Sequence, residues 1–149
     1  MHLKFILSEM TGNRLSNLRP RIEGKFILVG NEKFYIKGVT YGTFKPDSEG
    51  IQFPDCTVVN SDFLQISLSG INTVRTYTCP PRYLLDAAMA HNLKVMVGLP
   101  WEQHIAFLDS NERKRSIIKK VKENVAAFAG HPAILSYTIG NEIPSPIVR

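Results

Sequence analysis

Cysteine is scarce in this chain of 149 residues, with Cys56 and Cys79 the only two. Small exported domains hold themselves together with several disulfides, and one conceivable bridge is no such framework, so reduced thiols in a cytoplasmic protein are expected. Histidine is thin as well. The four histidines are scattered, and neither they nor the cysteines have the spacing of metal ligands, so no metal is expected. Long apolar runs are missing too: the stretch from Met1 to Leu7 is too short for a signal peptide, and nothing later reaches the roughly 18 apolar residues of a membrane span. No phosphate-binding glycine loop is present. The turn Gly42-Thr43-Phe44-Lys45-Pro46, where a nucleotide binder would carry one, is neither G-x-G-x-x-G nor a P-loop, and no cofactor is expected.

What the chain does have is the balance of one ordinary globular domain, 44% hydrophobic and 21% charged. Its net charge of +5 permits an anionic partner. The basic cluster Arg113-Lys114-Arg115 with Lys119, Lys120 and Lys122 lies, however, on a predicted helix, and reads as a solvated face rather than a nucleic-acid footprint.

The most telling stretch lies near the C-terminus. Ile134, Leu135, Tyr137 and Ile139 make a short apolar run of the kind a strand buried on both faces produces, and Gly140-Asn141-Glu142 ends it with polar groups. A carboxylate is thereby delivered to a strand tip, where parallel α/β folds bind ligands. The dipeptide Asn-Glu recurs at Asn31-Glu32 and Asn111-Glu112, where a turn and a helix start account for it, so only the strand context singles out Glu142.

Upstream, the pattern repeats. Residues 1–23 show no sustained periodicity and are expected to be a lead-in, disordered in part. Lys25 to Val29 and Lys33 to Lys37 are expected to form a hairpin, with Gly30 and Asn31 supplying positive φ angles in its turn. Gly38 to Tyr41 follows as the first core strand. Asn60-Ser61 is a candidate N-cap for a helix carrying Phe63, Leu64, Ile66 and Leu68 and ending at Gly70. Ile71 to Tyr77 is a second strand. Pro80-Pro81 opens a helix with Leu84, Leu85, Ala88 and Met89 as its apolar stripe, and Asn92 follows its end. Lys94 to Leu99 is a third strand, tipped by Pro100-Trp101-Glu102-Gln103-His104. Asp109 and Glu112 resemble a capping box for the longest helix, which carries Ile117, Ile118, Val121, Val125 and Phe128 and stops at Gly130 and Pro132.

Four strands alternating with three helices imply right-handed crossovers and a parallel sheet. Without a glycine-rich turn after the first strand, a partial TIM (β/α)8 barrel, its first four βα units preceded by a short β-hairpin, is preferred to a doubly wound sheet. A whole barrel needs about 250 residues, so residues 24–149 would be the N-terminal half of one.

Ile36-Lys37-Gly38-Val39, Asn72-Thr73-Val74-Arg75, Pro100-Trp101 and His131-Pro132-Ala133-Ile134 leading to Gly140-Asn141-Glu142 together resemble a clan A retaining glycoside hydrolase. The likeness is to the N-terminal half of the barrel of β-galactosidases and β-glucuronidases, and to related bacterial barrels joined to a glycosyltransferase. The resemblance implies a carbohydrate substrate, with Glu142 as general acid/base, Asn141 as the neighbour that hydrogen-bonds a sugar hydroxyl, and Arg75 as an arginine that braces the nucleophile. That nucleophile, a glutamate on the seventh strand of the clan's barrel, has no counterpart in these 149 residues.

Retaining hydrolysis needs two carboxyl groups about 5 to 5.5 Å apart. Glu142 fills one role, and its pKa must be raised if it is to donate a proton at neutral pH. Trp101 and Tyr77 sit where an aromatic face can stack on a sugar, or can simply pack under the next loop. Glu102 and His104 can bind hydroxyls at the same rim, or be ordinary loop residues. His131, at the opposite end of its strand, is expected to be structural. The leading expectation is thus a glycosidase fragment, inactive alone, with neither nucleic acid nor membrane as partner, and either self-associating or completed by a C-terminal half-barrel. The alternatives are a non-catalytic carbohydrate-binding or regulatory module, associated with a glycosyltransferase, and another α/β enzyme that pairs Glu142 with Glu102.

Overall fold

The computed structural model describes residues 19–101 and 110–147. Three short antiparallel strands come first: β1 (Pro20–Glu23), β2 (Phe26–Val29) and β3 (Glu32–Lys33), in that order across a small sheet. Strand β1 falls inside the stretch expected as lead-in. Its sequence, Pro-Arg-Ile-Glu, is too short to show a period and its one aliphatic side chain, Ile22, is exposed; it is held by pairing with β2 from Pro20↔Val29 to Glu23↔Phe26. Both turns use a glycine at positive φ, Gly24 at 59° and Gly30 at 64°. Asn31 does not share that role, because a turn with glycine first needs positive φ at that position only. Strand β3 is shorter than expected, ending at Lys33.

The second sheet is parallel, in the order β4 (Gly38–Thr40), β5 (Thr73–Thr76), β6 (Lys94–Gly98), β7 (Ile134–Thr138). Helix α1 (Cys56–Leu68) links β4 to β5, α2 (Arg82–Ala90) links β5 to β6, and α3 (Asn111–Phe128) precedes β7. The register aligns Val39, Val74, Val95 and Ile134 across the sheet, and next to them Thr40, Arg75, Met96 and Ser136. A bulge between Val95 and Met96 shifts β7 by one residue.

All three helices cover one face of this sheet. Val74, Val95 and Val97 are fully buried in a cluster with Val59 and Phe63 of α1 and Leu84, Leu85 and Ala88 of α2, and Val121, Val125 and Phe128 of α3 pack against it. A doubly wound sheet would carry helices on both faces; helices on one face are the arrangement of a barrel wall. Because side chains alternate along a strand, the opposite face carries Thr73 and Lys94, buried at the starts of β5 and β6, and Thr40, Arg75, Met96, Ser136 and Thr138, which are half-buried or exposed.

Caps set the helix ends. Helix α1 starts four residues before the expected Asn60-Ser61: Asp55 accepts from the backbone N–H groups of Thr57 at 2.8 Å and Val58 at 3.0 Å. Asn60 instead donates to the Cys56 carbonyl from within the first turns. Helix α3 is capped by Ser110, whose hydroxyl accepts from Arg113 N–H at 3.2 Å, rather than by Asp109, which lies outside the described residues. Gly70 (φ 78°) and Asn92 (φ 58°) follow α1 and α2 in the left-handed conformation such ends favour. Helix α3 has no fully buried residue, and its basic side chains lie on an exposed face, Lys119 meeting Glu123 one turn on at 3.9 Å.

His131 is structural here, as expected. Its side chain is 4% exposed, Nδ1 accepts from Ala133 N–H at 3.2 Å, and Nε2 lies 3.0 Å from Asp86 Oδ1. Since Nδ1 is an acceptor, the proton sits on Nε2 and is donated to Asp86, which ties the start of β7 to α2. Cys56 is exposed, Cys79 half-buried, and both thiols are free. No described helix is long and apolar enough to cross a membrane, and among the described residues no group of histidine, cysteine and carboxylate side chains is placed to hold a metal ion.

Candidate functional site

The C-terminal ends of β5, β6 and β7 converge on a cleft of about 220 Å³ lined by Arg75, Tyr77, Gly98, Trp101, Thr138 and Asn141, among others. Arg75 lies on the face of β5 away from the helices, so its side chain runs up that face toward the strand tips. There its Nη2 donates to Asn141 Oδ1 at 2.7 Å. This bond fixes the Asn141 amide, because only its oxygen can face a guanidinium. The guanidinium carbon also sits 4.9 Å from the centre of the Tyr77 ring, a cation–π contact that holds the aromatic beside it. Trp101 is pinned from the other side, its indole N–H donating to the Ile139 carbonyl.

Four of the expected site residues are therefore brought together: Arg75, Tyr77, Trp101 and Asn141. Arg75 meets Asn141 where the resemblance implied a nucleophile. Glu142 follows directly after Asn141, exposed, with its backbone in the left-handed region at φ 52°. It is not among the residues lining the cleft. Glu102 and His104 lie outside the described residues.

Sequence reasoning missed Gly98. A Cβ there would stand 2.4 Å from the Tyr77 carbonyl oxygen and 2.5 Å from that of Thr76. Only a glycine lets the end of β6 approach the end of β5 so closely, and that approach floors the cleft. The signal was a lone glycine ending an otherwise apolar strand, Lys94-Val95-Met96-Val97-Gly98. Close by, Cys79 Sγ lies 3.7 Å from the Gly98 carbonyl; burial pushes its thiol pKa up while Lys120 pulls it down. Burial likewise raises the Tyr137 hydroxyl pKa. Thr76 Oγ1 is buried and has no hydrogen-bond partner among the described residues.

No protein-family model matches the chain. Among curated proteins it is similar to a 1,3-beta-glucanosyltransferase, gel1 of Aspergillus fumigatus, with 28% identity over 135 residues that cover 82% of this chain and 28% of the relative. Among solved structures it is similar to Gas2p of Saccharomyces cerevisiae in complex with laminaripentaose, at TM-score 0.63 and 21% identity over 86% of this chain and 32% of that one. It is also similar to a β-glucuronidase from Ruminococcus gnavus in complex with uronic deoxynojirimycin, at TM-score 0.70 and 20% identity over 85% of this chain and 22% of that one. These structural neighbours are TIM-barrel enzymes of the clan that the sequence resembles. The likeness shows the fold, part of such a barrel. The chain spans less than a third of the length of each of these proteins.

Proposed function

We propose that the chain forms the first four βα units of a retaining barrel acting on β-glycosides, and that Glu142 is its general acid/base. The observation that carries this reading is the Arg75–Asn141 hydrogen bond at the tips of β5 and β7. It orients an amide, one residue before a carboxylate, inside a cleft walled by Tyr77 and Trp101. Such a cleft offers aromatic faces to the C–H side of a sugar ring and polar groups to its hydroxyls. In this reading Glu142 protonates the leaving oxygen, and the attacking carboxylate comes from a complementing half-barrel against the open edges of β4 and β7.

A second reading has support in one observation. Glu142 is exposed, and no carboxylate is found among the described residues that line the cleft. That arrangement favours a sugar-binding module without turnover, such as one serving an associated glycosyltransferase.

One experiment tests both. Purified chain is titrated with laminaripentaose and incubated with aryl β-glucosides. Saturable binding that is lost in Trp101→Ala, with no release of the aryl group above background, is expected, because one acid without a nucleophile forms no glycosyl-enzyme intermediate. Failure to bind any β-linked sugar would sink the carbohydrate reading. Turnover lost in Glu142→Gln would show that a second carboxylate is already present.

A further inference from the structure

One element stands apart in charge. Helix α3 carries six lysines and arginines against Glu112 and Glu123, so it holds +4 of the chain's net charge of +5. No other described α-helix is basic: α1 contains Asp62 and no cation, and in α2 Arg82 faces Asp86 one turn on at 3.9 Å.

The helical spacing gathers these charges on the outside. Val121, Val125 and Phe128 pack against the core, and Arg115, Lys119 and Lys122, at i, i+4 and i+7, form an exposed stripe on the side turned away from it. Ile118, 54% exposed, lies one turn from both Arg115 and Lys122. Pairing within the helix leaves the stripe charged, because Lys119 and Glu123, 3.9 Å apart, are 78% and 64% exposed, and a pair so wetted holds neither charge tightly.

The stripe also has a definite place relative to the cleft. Helix α3 leads from the end of β6 to the start of the parallel β7, so it runs back against the strands and its N-terminal half lies toward the strand tips. Lys120 is near enough to Cys79, just past the tip of β5, to pull its thiol pKa down. The helices of a barrel form its outer ring, so the stripe stays on the outside when the sheet is completed.

We propose that the outer face of α3 docks the chain on an anionic lipid surface and holds the cleft beside it. Cations clustered on one helix face are drawn to acidic headgroups within a Debye length, and an exposed isoleucine among them can enter the interface. A nucleic acid fits the stripe less well: Arg115, Ile118, Lys119 and Lys122 include no aromatic ring to stack on a base and no amide to read a base edge. The proposal is independent of the carbohydrate reading, and it concerns contact with a surface, which needs no helix able to cross a membrane.

The test is sedimentation of the whole chain with lipid vesicles, made either of phosphatidylcholine alone or of equal parts of phosphatidylcholine and phosphatidylserine. Binding is expected to the second kind only, and to vanish in about 1 M salt, where the Debye length is about 3 Å. Lys119→Gln and Lys122→Gln should each lower the ratio of bound to free chain about fivefold, and Ile118→Ser should lower it as well. Lys37→Gln combined with Lys45→Gln removes two exposed charges elsewhere, and this variant should bind nearly as the native chain does. Equal binding to both kinds of vesicle, binding to neither, or the same loss in the Lys37 and Lys45 variant as in the α3 variants overturns the proposal. So does tighter, salt-sensitive retention by duplex DNA at the same phosphate concentration, which would make the stripe a nucleic-acid face.

Discussion

Lys94 begins β6 on the sheet face away from the helices, yet it is only 4% exposed, and its ammonium donates to the Pro132 carbonyl at 2.7 Å. Burial penalises the charged form and lowers its pKa from 10.5 to about 8. The direction of the effect on stability follows from proton counts. Between about pH 8 and 10.5 the unfolded chain keeps a proton on Lys94 that the folded chain has released, so stability rises with pH across that window. Below pH 8 the penalty is fully present, and above 10.5 it is gone. At about 1.4 kcal/mol per pH unit the gap is worth roughly 3 kcal/mol. Urea unfolding from pH 7 to 10, on the native chain and on Lys94→Met, measures it. Cys79, Tyr41 and Tyr83 have raised pKa values and contribute with the opposite sign from about pH 9 to 10 upward, but they are common to both proteins and cancel in the difference. The native chain should gain stability relative to Lys94→Met by about 2 to 3 kcal/mol as the pH rises to 10. Parallel pH profiles would refute the reasoning and show that the Lys94 charge is satisfied in place.

The cap of α1 gives a second test. Asp55→Ala should cost about 1 kcal/mol in chemical denaturation, and Asn60→Ala less than about 0.5 kcal/mol; the reverse order would place the helix start where the sequence pattern suggested it. Gly98→Ala should force apart the ends of β5 and β6, lowering stability by about 1 to 3 kcal/mol and abolishing laminaripentaose binding, and wild-type affinity in that variant would mean the close approach does not shape the cleft. Among the described residues β4 and β7 each pair with one strand only, and such edges predict concentration-dependent association in sedimentation velocity, reduced by Val39→Lys on the exposed strand β4. A compact monomer at every concentration would contradict it.

The alternation of strands and helices was legible because each strand is a short apolar run and each helix repeats its apolar residues at helical spacing. The tip Asn141-Glu142 was legible for the same reason: polar residues after a buried strand have to be at its end. Local competition hid other features. Asn60 looked like a cap because asparagine often is one, but Asp55 lies after Pro54, which breaks the preceding chain, and it reaches two N–H groups at once. Strand β1 was hidden because it exists only through its partner β2. The Arg75–Asn141 bond joins residues 66 positions apart, and no local pattern reports such a pair.

Which way the strands face was not legible in the sequence. Runs such as Val95-Met96-Val97 are apolar on both sides, so the sequence does not say which side meets the helices. Had Val74, Val95 and Val97 pointed away from them, a partial barrel would expose all three valines, a loss of several kcal/mol at about 25 cal/mol per Å². The structure buries all three against α1 and α2. Beyond the buried Thr73 and Lys94, the other face carries Thr40, Arg75, Met96, Ser136 and Thr138, half-buried or exposed and all but Met96 polar. The apolar cost of openness falls instead on the ends and edges, at Val39, 38% exposed, and Ile139, 58% exposed. Stability and site thus have one origin: the same alternation that buries the valines under the helices puts Arg75 on the polar face, from which it reaches Asn141 at the strand tips.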